Sequence, residues 1–256
     1  MAAAGFGLDP DAGFSGPAGE KLHNAMGGAK DAGKMNDERM AILARLQSTL
    51  GPRAARERAA EARLKALRPN LVPARGQLRG EAARAQFIRL LRENLASVSE
   101  VAKAEDAPPR IADYLASISA QGPLRLAGNP WLAALPWGRT DLQPVTGQVR
   151  ESDAVGVSVA LCGIAETGTL MLASGPDAPS GLNFLPPVHI VLLRAEDITG
   201  SLEDGWTRLR LSTNGRTPRT VNLISGPSRT ADIAQTMYMG AHGPKHLHVM
   251  VVADDG

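Results

Sequence analysis

Apolar positions recur at two different spacings along this chain, and the change from one to the other falls near residue 123. Up to about residue 35 no period holds. Gly, Ala, Asp and Pro dominate there, so 1–35 reads as a disordered leader, with Met35 near the functional start. Beyond it Leu43, Leu46 and Leu50 form one helical stripe that Gly51-Pro52 stops. A second helix is expected from Arg53 to Leu67, ahead of Pro69. A third, from about Gly80 to Val101, sets Ile88, Leu91, Leu95 and Val98 on one face. A fourth opens at Pro108-Pro109, carries Ile111, Leu115 and Ile118 in register, and closes at Gly122-Pro123. Residues 36–122 are therefore expected as an N-terminal helical region packed on the core, its Arg-rich outer faces in solvent.

From Leu124 onward short apolar runs alternate with Gly/Pro punctuation. The runs are Leu124 to Ala127, Gly156 to Ala160, Thr169 to Ala173, Val188 to Leu193, Val221 to Ile224 and Leu247 to Val252. Val188-His189-Ile190-Val191-Leu192-Leu193 is almost unbroken apolar sequence, as a strand covered on both faces requires. Helices fit between several runs, among them Glu196 to Arg208 and Ser228 to Met237. Strands alternating with helices predict an α/β core over 123–256, a largely parallel sheet wrapped by helices, with 36–256 forming one domain.

Composition narrows the function classes. Of 256 residues 43% are hydrophobic, enough for a sizeable core, but only 4% are aromatic, so Ala, Val, Leu, Ile and Met must fill it. A net charge of +2 is far from the basic footprint of a nucleic-acid binder. No apolar stretch approaches the roughly 20 residues of a membrane helix. Cys162 is the single cysteine. It excludes an intrachain disulfide framework, fits a reducing cytoplasm, and cannot by itself hold a four-thiolate iron–sulfur cluster. Its expected place is a buried apolar site.

Three Gly-containing segments carry the candidate chemistry: Gly163-Ile164-Ala165-Glu166-Thr167-Gly168-Thr169, Ser225-Gly226-Pro227-Ser228-Arg229-Thr230-Ala231-Asp232, and Gly240-Ala241-His242-Gly243-Pro244-Lys245. In this order and spacing, and with the helix around Glu38 to Leu43, they resemble the LUD domain of lactate-utilisation proteins, from about Met35 to Val252. The lack of cysteine clusters points to the small C-type subunit. The resemblance implies a fold like that of the sugar-phosphate isomerases and CoA-transferases, with sites at strand ends. It also implies a part in oxidising L-lactate to pyruvate beside iron–sulfur partner proteins. It supplies no catalytic residues.

Site residues are therefore read from physical chemistry. A strand running through Ser225-Gly226-Pro227 into a helix would leave free N–H groups for a small organic anion, with Ser228 or Thr230 capping or donating and Arg229 offering a guanidinium fork. Glu166, where an apolar stretch meets Thr167-Gly168-Thr169, is a candidate general base or nucleophile, and equally a loop carboxylate. On the first view the chain would be a transferase or hydrolase of a small acyl or phosphate ester. His242, Gly243 and Lys245 are candidate anion contacts. His246 and His248 alternate onto one strand face, but nothing beside them argues for a metal. His189 reads as a hydrogen-bonded core histidine. No Gly-x-Gly-x-x-Gly follows a strand and no phosphate loop is present, so no cofactor is expected on this chain. The leading expectation is a non-redox subunit whose electron acceptor sits on its partners.

Overall fold

In a computed structural model of the protein, residues 29–66, 71–231, 237–240 and 242–254 are described. The chain divides into two units at Arg68/Pro69. The first consists of helices α1 (Ala29–Leu50) and α2 (Arg53–Lys65), joined at Gly51, whose φ of +68° lets the backbone turn out of the helix. Helix α1 begins inside the segment read as leader. Residues 1–28 lie outside the described residues.

The second unit is built on six parallel strands, in the order β1 (Ser97–Lys103), β12 (His246–Asp254), β7 (Val188–Arg194), β4 (Val155–Val159), β2 (Leu124–Leu126) and β3 (Pro144–Thr146). The expected α/β sheet is present and all its pairings are parallel. On one face helix α4 (Ala107–Ser117), the short α5 (Pro130–Ala134) and Trp137 cover Leu124, Val157, Ile190, Leu192 and Met250. On the other, helix α3 (Gly80–Glu93) packs Ala83, Phe87, Ile88 and Leu91 against Val191, Leu193, Val249 and Val251. Strands β7 and β12 are dry on both sides, which is why their sequences lack the alternation of a half-exposed strand.

A second sheet lies over the α3 face, in the order β8 (Ile198–Thr199), β5 (Cys162–Ile164), β6 (Thr169–Ala173) and β9 (Val221–Ile224). Its side chains alternate. Leu170 and Leu172 face the main sheet and α3, whereas Cys162, Ile164 and Met171 pack on Leu209 of helix α6 (Leu202–Ser212). Cys162 is fully buried, and burial pushes its thiol up to about 11.

Two expected helices take other forms. The third ends at Glu93, because Leu95 sits at φ +66° and the chain re-emerges as β1, so Val98 belongs to a strand. Among the described residues after Pro227 the expected helix over Ser228 to Met237 does not appear. Arg229–Ala231 is a strand, β10, paired antiparallel with β11 (Met237–Met239). The helix expected over Glu196 to Arg208 starts later, at Leu202, where Ser201 and Asp204 form a capping box.

Arg125 and Asp153 form a buried two-pronged ion pair, with Nε and Nη2 each donating at 2.9 Å, and the Arg150 backbone N–H donates to the same carboxylate at 2.6 Å. These hydrogen bonds hold the Asp153 carboxyl below its usual range. Replacing Asp153 with Ala leaves a buried guanidinium unpaired and is expected to cost about 3–5 kcal/mol in urea unfolding. Phe87→Ala, which opens a void between α3 and the sheet, is expected to cost a similar 3–5 kcal/mol or so. A loss below about 1 kcal/mol at either site would contradict the burial described.

Candidate functional site

The three Gly-containing segments meet around the C-terminus of α3. The first forms the loop between β5 and β6. Gly168 adopts φ +63°, and a Cβ there would lie 2.6 Å from Leu90 Cβ and 2.9 Å from the Leu91 backbone nitrogen. Only glycine lets the loop close so tightly on the helix. Thr167 and Thr169 share a 2.7 Å hydroxyl contact, and Thr169 shares another with Ser225. Gly226 then passes the end of α3 so closely that a Cβ would stand 2.3 Å from the Asn94 carbonyl oxygen.

The second and third segments join at Ser228. Its N–H donates to Pro244 O at 2.9 Å, its carbonyl accepts from Gly240 N at 2.9 Å, and its hydroxyl lies 3.4 Å from His242 N. Gly243 packs on the Ser228 side chain. Thr167, Thr169, Gly226, Ser228, His242 and Gly243 are thus brought together, a convergence the sequence alone left open. Their roles differ from those expected. Ser228 is no helix cap, Arg229 is exposed in β10, and Thr230 is a strand residue paired with Tyr238. The helix start that was to receive the anion does not exist, so the donors reasoned from it are engaged in β pairing and turns. Asp232 lies outside the described residues.

Glu166 stands apart from this gathering. Its backbone N–H donates to Gly200 O at 2.9 Å. Its carboxylate is 9% exposed, 3.2 Å from the Arg75 guanidinium and 3.5 Å from the Leu202 N–H in the first turn of α6. In that position it complements the positive end of the helix and ties the 74–76 turn to it.

Beyond the loops, a cleft of about 300 Å³ opens at the amino ends of β1 and β12. Its polar wall is Ser97, Tyr114, Lys245 and His246; its apolar wall includes Leu95, Ile118 and Leu247. Lys245 is exposed and half-buried His246 is pushed below the usual imidazole range by burial and by Lys245. Behind the cleft the neutral ring of His248 is fixed on both sides, Nδ1 2.8 Å from Ser97 Oγ and Nε2 2.9 Å from Ser99 Oγ, and the Tyr114 ring stacks on it at 3.9 Å. One ring nitrogen donates and the other accepts. Of this group Lys245, His246 and His248 stood out in the sequence, whereas Ser97, Ser99 and Tyr114 did not.

Parallel α/β sheets usually bind ligands outside the carboxyl ends of the strands, where successive connections leave in opposite directions. Here that point lies between β4 and β2. The recess beside it, reached by Asn129, Ser158 and Asn183, measures only about 30 Å³, enough for a water. Below it the fully buried His189 accepts from or donates to Ser158 Oγ at 2.7 Å, as a core histidine should, while its Nδ1 has no partner among the described residues.

Burial holds His189 down to about 3 and His248 to about 4. In an unfolded chain each takes a proton near 6.5. Unfolding therefore takes up protons between those values. The stability tied to each neutral ring is complete above about pH 6.5 and declines as pH falls, by about 1.4 kcal/mol per pH unit and ring. A His248→Gln chain is expected to lose about that much slope between pH 4.5 and 6.5 in chemical unfolding. An unchanged slope would show that the ring is not shielded.

The chain is similar to a known group of proteins. The curated relatives include "Uncharacterized protein NMB1437" of Neisseria meningitidis serogroup B, 45% identical over 100 residues, or 39% of this chain and 42% of that protein. Another is "Lactate utilization protein C" of Bacillus subtilis, 31% identical over 106 residues, 41% of this chain and 44% of that one. The matches thus span less than half the length of either relative. Among solved structures, a DUF162 family protein from Deinococcus radiodurans superposes with a TM-score of 0.51 at 22% identity, over 68% of this chain and 99% of that one, a likeness of fold. The sequence profile of the LUD domain matches residues 84–252, from within α3 through β12 and so across all six parallel strands, and the chain belongs to the LUD domain family.

Proposed function

We propose that the chain serves the oxidation of L-lactate to pyruvate in the cytoplasm, as a subunit that handles the small organic acid while iron–sulfur partner proteins take the electrons. The observation that carries this reading is the likeness to proteins named "Lactate utilization protein C" within a domain match covering the whole parallel sheet. Chemistry within the chain agrees with it. Removing two electrons from a hydroxy acid needs an acceptor that ordinary side chains do not provide. The thiol of Cys162 is fully buried and raised to about 11, so it is protonated at neutral pH and closed to solvent. The cationic, partly apolar cleft beside Lys245 offers a small carboxylate what it needs. No helix among the described residues is long and apolar enough to cross a membrane.

Deleting the gene is expected to abolish growth on L-lactate as sole carbon source while leaving growth on pyruvate intact, and the restored chain, tagged, is expected to co-purify with iron-containing partners. Undiminished growth on L-lactate would overturn the proposal. So would a purified, partner-free chain that converts lactate to pyruvate with a tightly held flavin or nicotinamide of its own.

A further inference from the structure

The cleft at the amino ends of β1 and β12 joins three features that small-ligand sites combine: adequate volume, an apolar wall, and a few polar groups converging from different elements. Its volume of about 300 Å³ sits at the lower bound of such sites, whereas the recess at the switch point, at about 30 Å³, has room for no more than a water. Lys245 brings positive charge, and among the described residues lining the cleft none is acidic. His246, one residue on, is held in the deprotonated form by burial and by Lys245, so it is available to accept a hydrogen bond. Tyr114 comes from α4 and is not free to swing, because its ring stacks on His248, itself clamped by Ser97 and Ser99. The wall is thus preorganised by a buried network. Leu95 is held at φ +66°, at the point where α3 gives way to β1, and with Ile118 supplies the apolar surface.

We propose that this cleft binds a 2-hydroxycarboxylate whose side chain is larger than a methyl group, with Lys245 pairing the carboxylate, His246 accepting from the 2-hydroxyl, Tyr114 donating to the acid, and Leu95 and Ile118 holding the alkyl chain. The proposal rests on the functional reading above only in taking the ligand to be a small organic acid. It adds the place, the contacts and a preference for a longer chain.

The test is calorimetric titration of the full chain with L-lactate, L-2-hydroxybutyrate and butyrate. L-2-hydroxybutyrate is expected to bind about 4-fold tighter than L-lactate, the effect of one more buried methylene. Butyrate, which lacks the hydroxyl, is expected to bind about 3–10-fold more weakly than L-2-hydroxybutyrate. Lys245→Met is expected to weaken all three acids about 10–100-fold, and Lys245→Arg, which keeps the charge, to retain most of the affinity. Lys245 is exposed, so its replacement leaves the fold intact, and a thermal melt verifies this. His246→Phe is expected to reduce the hydroxy acids to the affinity of butyrate and to leave butyrate unchanged, a pattern that general loosening of the strand would not produce. Absence of binding at millimolar concentration, or Lys245→Met binding as well as the parent, would overturn the site. Loss of growth on L-lactate upon deletion, combined with either of those results, sinks the cleft and spares the functional reading. Binding that follows the expected pattern in a chain whose deletion leaves growth untouched does the reverse.

Discussion

The architecture hangs on one strand, β12, which must be placed between β1 and β7 with its backbone paired on both edges and its side chains dry on both faces. Leu247, Val249 and Val251 close the core under α3, and Met250 and Val252 close the one under α4. Removing that strand would separate β1 from the rest of the sheet and open both cores at once. Burial of this kind is the main source of folding free energy, at about 25 cal/mol per Å² of apolar surface. The polar residues of the strand obey the same constraint: His248 is admitted to the interior only because Ser97 and Ser99 satisfy both of its nitrogens.

The placement of β12 also gathers the loops. The strand begins at His246, directly after the Gly240–Lys245 segment, so fixing its register against Val188 fixes Pro244 beside Ser228. Ser225 reaches Thr169 from the same turn, and Gly226 rests on the end of α3. Within the described residues the glycines and hydroxyls of the LUD motifs act as packing devices, letting the loops close on one another and on the end of α3. The cleft forms at the edge of that packing, where Lys245 and His246 leave it.

Much of the fold was legible because the physics was local. Val188 to Leu193 has no alternation, and only a doubly covered strand explains so many β-branched and apolar residues in a row. The runs at 124, 156, 169, 221 and 247 were bounded by turn residues and appear as strands. Where the reading failed, a local pattern was overridden by distant partners. Leu91, Leu95 and Val98 keep helical spacing, yet a leftward turn at Leu95 diverts the chain into the sheet, where Ser97 to Lys103 find β12 more than 140 residues away in sequence. The same holds after Pro227: Ser228-Arg229-Thr230-Ala231 carries fair helix formers, but its backbone finds strand partners in 237–239 and a turn partner in Pro244. Of the candidate site, the three Gly-containing segments stood out in the sequence, but their approach to one another is set by contacts between residues far apart in the chain. The pairing of Glu166 with Arg75 and the Tyr114–His248 stack were not legible, since both join residues remote in sequence with no motif to mark them.

Strand order has a consequence for how such a chain is made. The ribosome delivers β12 after every other described strand, yet its berth is internal. Until it emerges, β1 and β7 each present an unsatisfied, apolar edge to solvent, and neighbouring nascent chains offer the same edges in turn. A polypeptide interrupted anywhere upstream of His246 would keep that gap permanently. The interval before β12 emerges is therefore when those edges are open to pairing with other chains.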